Sequence, residues 1–139
     1  MRETLLTIAL IFSLANVHAQ GEEAKLNISH LIGDFYIYTT YNQYEGNRIP
    51  ANGMYVITSS GVVMFDTPWD TTQLQPLLDS IKWRHHKSVI MCIATHWHSD
   101  RTEGLAFYQQ QGISTYTTIL TDELSKRNHK KRAEYLMAK

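Results

Sequence analysis

The chain has 139 residues with 13 basic and 13 acidic side chains, so its formal net charge is zero with histidines neutral. That balance offers no bulk attraction to nucleic acid or to an acidic surface, and the length bounds the fold at one domain. A single cysteine excludes an internal disulfide.

Residues 1–19 read as a secretory signal. Arg2 gives a positive start, Leu5 to Leu14 are apolar apart from Thr7 and Ser13, and Val17-His18-Ala19 resembles a cleavage site before Gln20. The apolar run is too short to persist as a bilayer span. The expected location is therefore a bacterial periplasm, with no membrane anchor after cleavage. From Leu26 to Met64 the pattern is one of antiparallel strands. Ile28 to Tyr41 is rich in Tyr, Ile and Thr, with Gly33-Asp34 marking a turn. Met54 to Thr58 and Val62 to Asp66 flank Ser59-Ser60-Gly61, a hairpin signal. Between them, Asn42 to Asn52 holds Gly46, Pro50 and then Asn52-Gly53, which reads as a mobile loop with Tyr44 near its tip. Asp66 ends an apolar strand ahead of Thr67-Pro68. Its carboxylate either belongs to a simple turn or points inward beneath a site.

Asp70 is placed to cap a helix, with Gln73 three residues on. Leu74, Leu77, Leu78 and Ile81 repeat at helical spacing, and Pro76 makes the first turn irregular. His85-His86 fall at the helix end, where cations suit the dipole, and both are expected in solvent. Val89 to Ala94 is an unbroken apolar run, the mark of a strand buried on both faces. Cys92 within it reads as a small buried hydrophobe. Further on, Leu105 to Tyr108 begin a short helix that stops at Gly112, and Ile113 to Thr117 form another strand. Thr121 opens a last helix, with Asp122 and Glu123 at its start and Lys126, Arg127, Lys130, Lys131 and Arg132 after them. That order follows the helix dipole.

The chemistry lies in Thr95-His96-Trp97-His98-Ser99-Asp100-Arg101. Two imidazoles and a carboxylate at alternate positions share one side of an extended backbone. These are donors suited to Zn²⁺, which they bind at about 2.0–2.2 Å. A bare His-x-His is common in surface loops. At the end of a buried strand and ahead of a helix, it becomes a metal-site pattern. Spacing alone does not close a tetrahedral site, so further ligands must come from elsewhere.

His96-Trp97-His98-Ser99-Asp100 resembles the His-x-His-x-Asp signature of the metallo-β-lactamase superfamily. Arg101 stands where glyoxalase II, lactonases and the nuclease branch carry another histidine, and resembles instead the class B β-lactamases of the broad-spectrum di-zinc subclass. The likeness includes Pro50 to Met54, Phe65 to Pro68 and Thr95 to Gly104, and departs at Glu103, where the family usually has the first of two glycines. It implies an α+β fold, the N-terminal half of an αβ/βα sandwich. A mainly antiparallel sheet would carry helices starting near Asp70 and Glu103 on its outer face. Residues 20–139 would then be an incomplete metallo-β-lactamase domain whose C-terminal half is absent.

The resemblance also implies two zinc ions. His96 and His98 would hold one with a third histidine. Asp100 would hold the other with a cysteine and a histidine from further downstream, places that neither Cys92 nor His129 suits. Asp100 would in addition orient the nucleophile, Asp66 and Arg101 would brace the ligands, and Tyr44 would meet substrate from a flap, unless that tyrosine merely sits on an ordinary exposed hairpin. The implied activity is hydrolysis of the β-lactam amide bond, hence antibiotic resistance, by a monomer when complete, with this chain inactive alone. The alternatives are a non-catalytic scaffold fragment that binds zinc weakly, or another hydrolase of the superfamily such as a lactonase, which Arg101 disfavours.

Overall fold

The computed structural model describes residues 25–137; the segment read as a signal, residues 1–19, lies outside them. Six strands form one sheet in chain order: β1 (Leu26–Ile32), β2 (Phe35–Tyr44), β3 (Asn47–Ile57), β4 (Val62–Phe65), β5 (Val89–Ile93) and β6 (Ser114–Tyr116). The first four pair antiparallel, because tight turns at Gly33-Asp34, Glu45-Gly46 and Ser59 to Gly61 join them. The last three are parallel, and parallel neighbours need a crossover. Helix α1 (Leu74–His85) supplies the first, and the pair α2 (Ser99–Thr102) and α3 (Leu105–Gln110) the second. Helix α4 (Ile119–Met137) follows β6.

Right-handed crossovers along a sheet that grows in one direction put their helices on the same face. The core has that form: Leu74, Leu77 and Ile81 of α1 and Tyr108 of α3 pack with Tyr38, Tyr55, Val62, Met64 and Cys92 of the sheet. Register explains the choice of residues. Tyr55 lies opposite Met64 and Met64 opposite Cys92, so one row points at the helices. The neighbouring row, Met54, Phe65, Ile93 and Tyr116, points the other way and is only half-buried or exposed. Strand β5 is therefore not covered on both faces by the described residues, contrary to its unbroken apolar sequence; Ile90 is 39% exposed.

Asn42 to Asn52 is not a loop. Strands β2 and β3 run through it in unbroken register, from Phe35 opposite Val56 to Tyr44 opposite Asn47. Glu45 (φ 49°) and Gly46 (φ 77°) alone make the turn, the paired positive φ that a tight hairpin needs. Pro50 is tolerated because β4 reaches only Met54 to Ile57 of β3, leaving Pro50 on a free edge. Arg48 also lies 3.4 Å above the Tyr41 ring, which ties the two arms together.

The helix signals hold with small shifts. Asp70 accepts from Thr72 N at 3.0 Å and caps a 3₁₀ turn, Thr71–Gln73. Pro76 then falls in the first turn of α1, where a missing N–H costs no helical bond. Helix α4 begins two residues before Thr121, because Thr118 Oγ1 accepts from Thr121 N at 3.1 Å.

His85 is not simply solvated. Its Nε2 lies 2.9 Å from Tyr55 Oη, and its ring sits 4.7 Å from Tyr36, which stacks on Tyr55 at 5.0 Å. Burial pushes the Tyr55 phenol up to about 12, so it stays protonated and can donate to a neutral His85. Burial, then Arg84 and His86, lower the His85 pKa. A depressed folded value means stability is fully present above the unfolded value, about 6.5, and is lost as pH falls through the folded one. The urea midpoint of the wild-type chain should therefore drop below about pH 6.5, and the His85→Leu variant should lack that component. Parallel pH curves for the two proteins would refute it.

Candidate metal centre

The site begins where β4 ends. Asp66 has φ 67°, a left-handed conformation that aspartate tolerates better than most residues. Three contacts impose it. Asp66 N donates to Ile93 O at 2.9 Å, and Asp66 O accepts from Tyr38 Oη at 2.8 Å and Cys92 Sγ at 3.4 Å. Turned this way, the buried carboxylate accepts from Thr95 N and Thr95 Oγ1, both at 2.8 Å. Asp66 is thus a strut beneath the motif and more than a strand-ending turn. Tyr38 reaches it because its partner in β3 is Gly53: a Cβ there would lie 2.1 Å from the Tyr38 ring. Burial pushes the Tyr38 phenol well above its usual value, and burial followed by the charge of Asp66 pushes the Cys92 thiol up to about 12. Cys92 is thus a protonated core residue, directed at Asp66 O and outside the group formed by His96, His98 and Asp100.

After β5 the chain bends through residues 96–98, and His98 (φ −66°, ψ 150°) opens α2. Asp100 lies in the first turn of that helix. A helical turn, and not continued alternation, brings the carboxylate beside the imidazoles. Donor atoms of His96, His98 and Asp100 all lie within 4.8 Å of one another, a group among the described residues that could hold a metal ion. His96 Nε2 and His98 Nδ1 are 3.2 Å apart. Two nitrogens bound tetrahedrally at about 2.0–2.1 Å sit about 3.3 Å apart, so the imidazole pair already has the bite of a zinc chelate. The Trp97 ring stands 4.1 Å from the His98 ring, edge to face, and supports it.

Arg101 joins the acidic groups. Its Nε is 3.2 Å from Asp100 Oδ2 and its Nη1 3.6 Å from Asp66 Oδ2, and Nη1 also donates to Asn52 O. One planar guanidinium thus ties β3, Asp66 and the Asp100 carboxylate together. The turn behind the site closes despite Glu103, whose φ of −58° suits any residue. The next position is the demanding one: a Cβ on Gly104 would lie 2.4 Å from Leu74, and Gly104 N donates to Thr67 Oγ1 at 3.1 Å. Tyr44 ends β2 beside the hairpin turn, 56% exposed, with its ring 6.2 Å from Trp69. His129 lies apart from these donors, exposed on α4. Sequence reasoning placed Thr95 in the motif without a contact of its own and did not single out Trp69; a hydroxyl directly before the first histidine was the available signal for the former.

No model of a known protein family matches the chain, but individual proteins do. It is 39% identical over 136 residues to a metallo-β-lactamase type 2 of Elizabethkingia meningoseptica, covering 97% of this chain and 55% of that protein. It is 43% identical over 97 residues to metallo-β-lactamase IND-1 of Chryseobacterium indologenes, covering 70% and 41%. Its fold matches the crystal structure of metallo-β-lactamase IND-7 with a TM-score of 0.72 at 40% identity, over 79% of this chain and 50% of that one. By sequence and by fold, the chain belongs with the class B metallo-β-lactamases. What it matches is the N-terminal half of the metallo-β-lactamase fold, and it spans about half the length of these relatives. The metallo-β-lactamase FIM-1 of Pseudomonas aeruginosa, solved in a mono-zinc form, matches with a TM-score of 0.73 at 25% identity, over 80% of this chain and 50% of that one.

Proposed function

We propose that His96, His98 and Asp100 are zinc ligands in hydrolysis of the β-lactam amide bond, the two histidines toward one ion and Asp100 toward a second. The observation that supports this best is the 3.2 Å approach of His96 Nε2 to His98 Nδ1 beside the Asp100 carboxylate. Bound there, zinc would polarise the lactam carbonyl and bring the pKa of a water to about 7. Asp100 accepts a hydrogen bond from the attacking water and orients it. Arg101 and Asp66 hold Asp100 and the imidazoles in place, and Tyr44 on the β2–β3 arm meets an apolar part of the substrate. No helix of the described residues is long and apolar enough to cross a membrane, and we take the enzyme to be exported to the periplasm and monomeric.

The described residues offer two donors to one ion and one to the other, whereas catalytic zinc takes three protein ligands and water. The 139-residue chain by itself is therefore expected to bind zinc without useful turnover. The test follows ring opening of a chromogenic cephalosporin in zinc, by the chain alone and by the chain joined to the part of metallo-β-lactamase IND-1 beyond the match. Turnover is expected in the joined protein only, and His98→Ala should remove it. Turnover by the chain alone that depends on His96 would overturn the account of a partial site. A folded, zinc-loaded joined protein with no turnover would overturn the substrate class.

A further inference from the structure

We infer that Thr95 is a positioning residue for the metal site: its hydroxyl connects the Asp66 carboxylate to the His96 ring and so fixes which ring nitrogen of His96 is free to bind metal. The inference rests on the zinc-ligand reading above. A carboxylate can only accept, so the Thr95 hydroxyl, 2.8 and 3.0 Å from the two Asp66 oxygens, donates to it. Its one hydrogen is then committed. His96 Nδ1 lies 3.3 Å from Thr95 Oγ1, and the bond this pair can form is Nδ1–H donating to the threonine oxygen. A neutral imidazole protonated at Nδ1 carries its lone pair at Nε2. Nε2 is the atom that faces His98 Nδ1 at 3.2 Å. The sequence of donors therefore runs from His96 to Thr95 to Asp66, and it leaves the chelating nitrogen bare.

The rest of the surroundings keeps this relay in register. Thr95 N donates to Asp66 Oδ1 at 2.8 Å, so backbone and side chain of one residue grip one carboxylate. Arg101 lies 3.6 Å from the other oxygen. Serine preserves every contact in the relay. Valine keeps the shape of threonine and removes the hydroxyl.

The test reads the tautomer directly. Two-bond ¹H–¹⁵N correlation spectra of the metal-free chain, recorded above the histidine titration range, should show His96 protonated at Nδ1 in the wild type and in Thr95→Ser. In Thr95→Val the Nε2-protonated form should appear. Thr95→Ala serves beside it, because it introduces no bulk and leaves the backbone bond to Asp66; near-ultraviolet circular dichroism checks that both remain folded. Zinc affinity, measured against a chelating dye, should fall by about 10–100-fold in Thr95→Val, the usual effect of losing a partner behind a ligand, and return in Thr95→Ser. An Nε2-protonated His96 in the wild type, or a tautomer unchanged in both hydroxyl-free variants, would overturn the inference. If the wild type bound no zinc while the tautomer behaved as described, the ligand reading would fail and the positioning role would stand.

Discussion

Replacing His96 by alanine is expected to remove zinc binding by this chain almost completely. The two imidazoles present nitrogens 3.2 Å apart, close to the edge of a zinc tetrahedron. Without His96 the remaining donors are one exposed imidazole and one carboxylate already paired with Arg101. The loss should exceed the roughly 10–100-fold that removal of an outer partner costs. His98→Ala should behave alike. Asp100→Ala leaves the imidazole pair intact and should weaken the first ion far less. Competition with a chelating dye measures all three. Undiminished zinc affinity in a folded His96→Ala protein would sink the ligand assignment.

Gly53→Val should destabilise the sheet strongly. A Cβ at this position would lie 2.1 Å from the Tyr38 ring, and the ring has no free room because Tyr38 is buried in the core. Forcing it aside overpacks the core at about 1–3 kcal/mol. It also breaks the bond from Tyr38 Oη to Asp66 O, and each buried polar group left unpaired costs about 1–3 kcal/mol. The sum, about 2–6 kcal/mol, is much of a typical domain's stability. Tyr38→Phe removes only the hydrogen bond and should cost less. Tyr38→Ala introduced beside Gly53→Val should cost less than the two changes added together, because it opens the space that valine needs. Urea midpoints decide it, and a Gly53→Val protein as stable as the wild type would show that the Tyr38 ring is not wedged against β3.

What the sequence revealed was local. The His-x-His-x-Asp pattern, the turns at Gly33-Asp34 and Ser59 to Gly61, and the helical spacing of Leu74, Leu77 and Ile81 each depend on neighbours a few positions away, and each appears in the fold. What it concealed depends on distant partners. His85 finds Tyr55 across 30 positions and Thr95 finds Asp66 across 29. The arm from Asn42 to Asn52 looked like a loop because Gly46 and Pro50 outweighed the alternation around them; only the pairing with β2 shows that Pro50 lies on a free edge. Asp100 was expected to follow the strand alternation, and α2, with four residues, is too short to announce itself by periodicity.

Cys92 has a practical consequence. It is the only cysteine of the chain, fully buried, with a thiol pushed up to about 12 and directed at Asp66 O. The thiolate is the form that attacks electrophiles, and this sulfur is neither ionised nor reachable at neutral pH. Maleimide and iodoacetamide reagents should therefore pass over the folded protein. In a Tyr44→Cys variant the new thiol would be the sole reactive handle, and a fluorophore attached there would report the surroundings of the β2–β3 turn with the native sulfur left untouched.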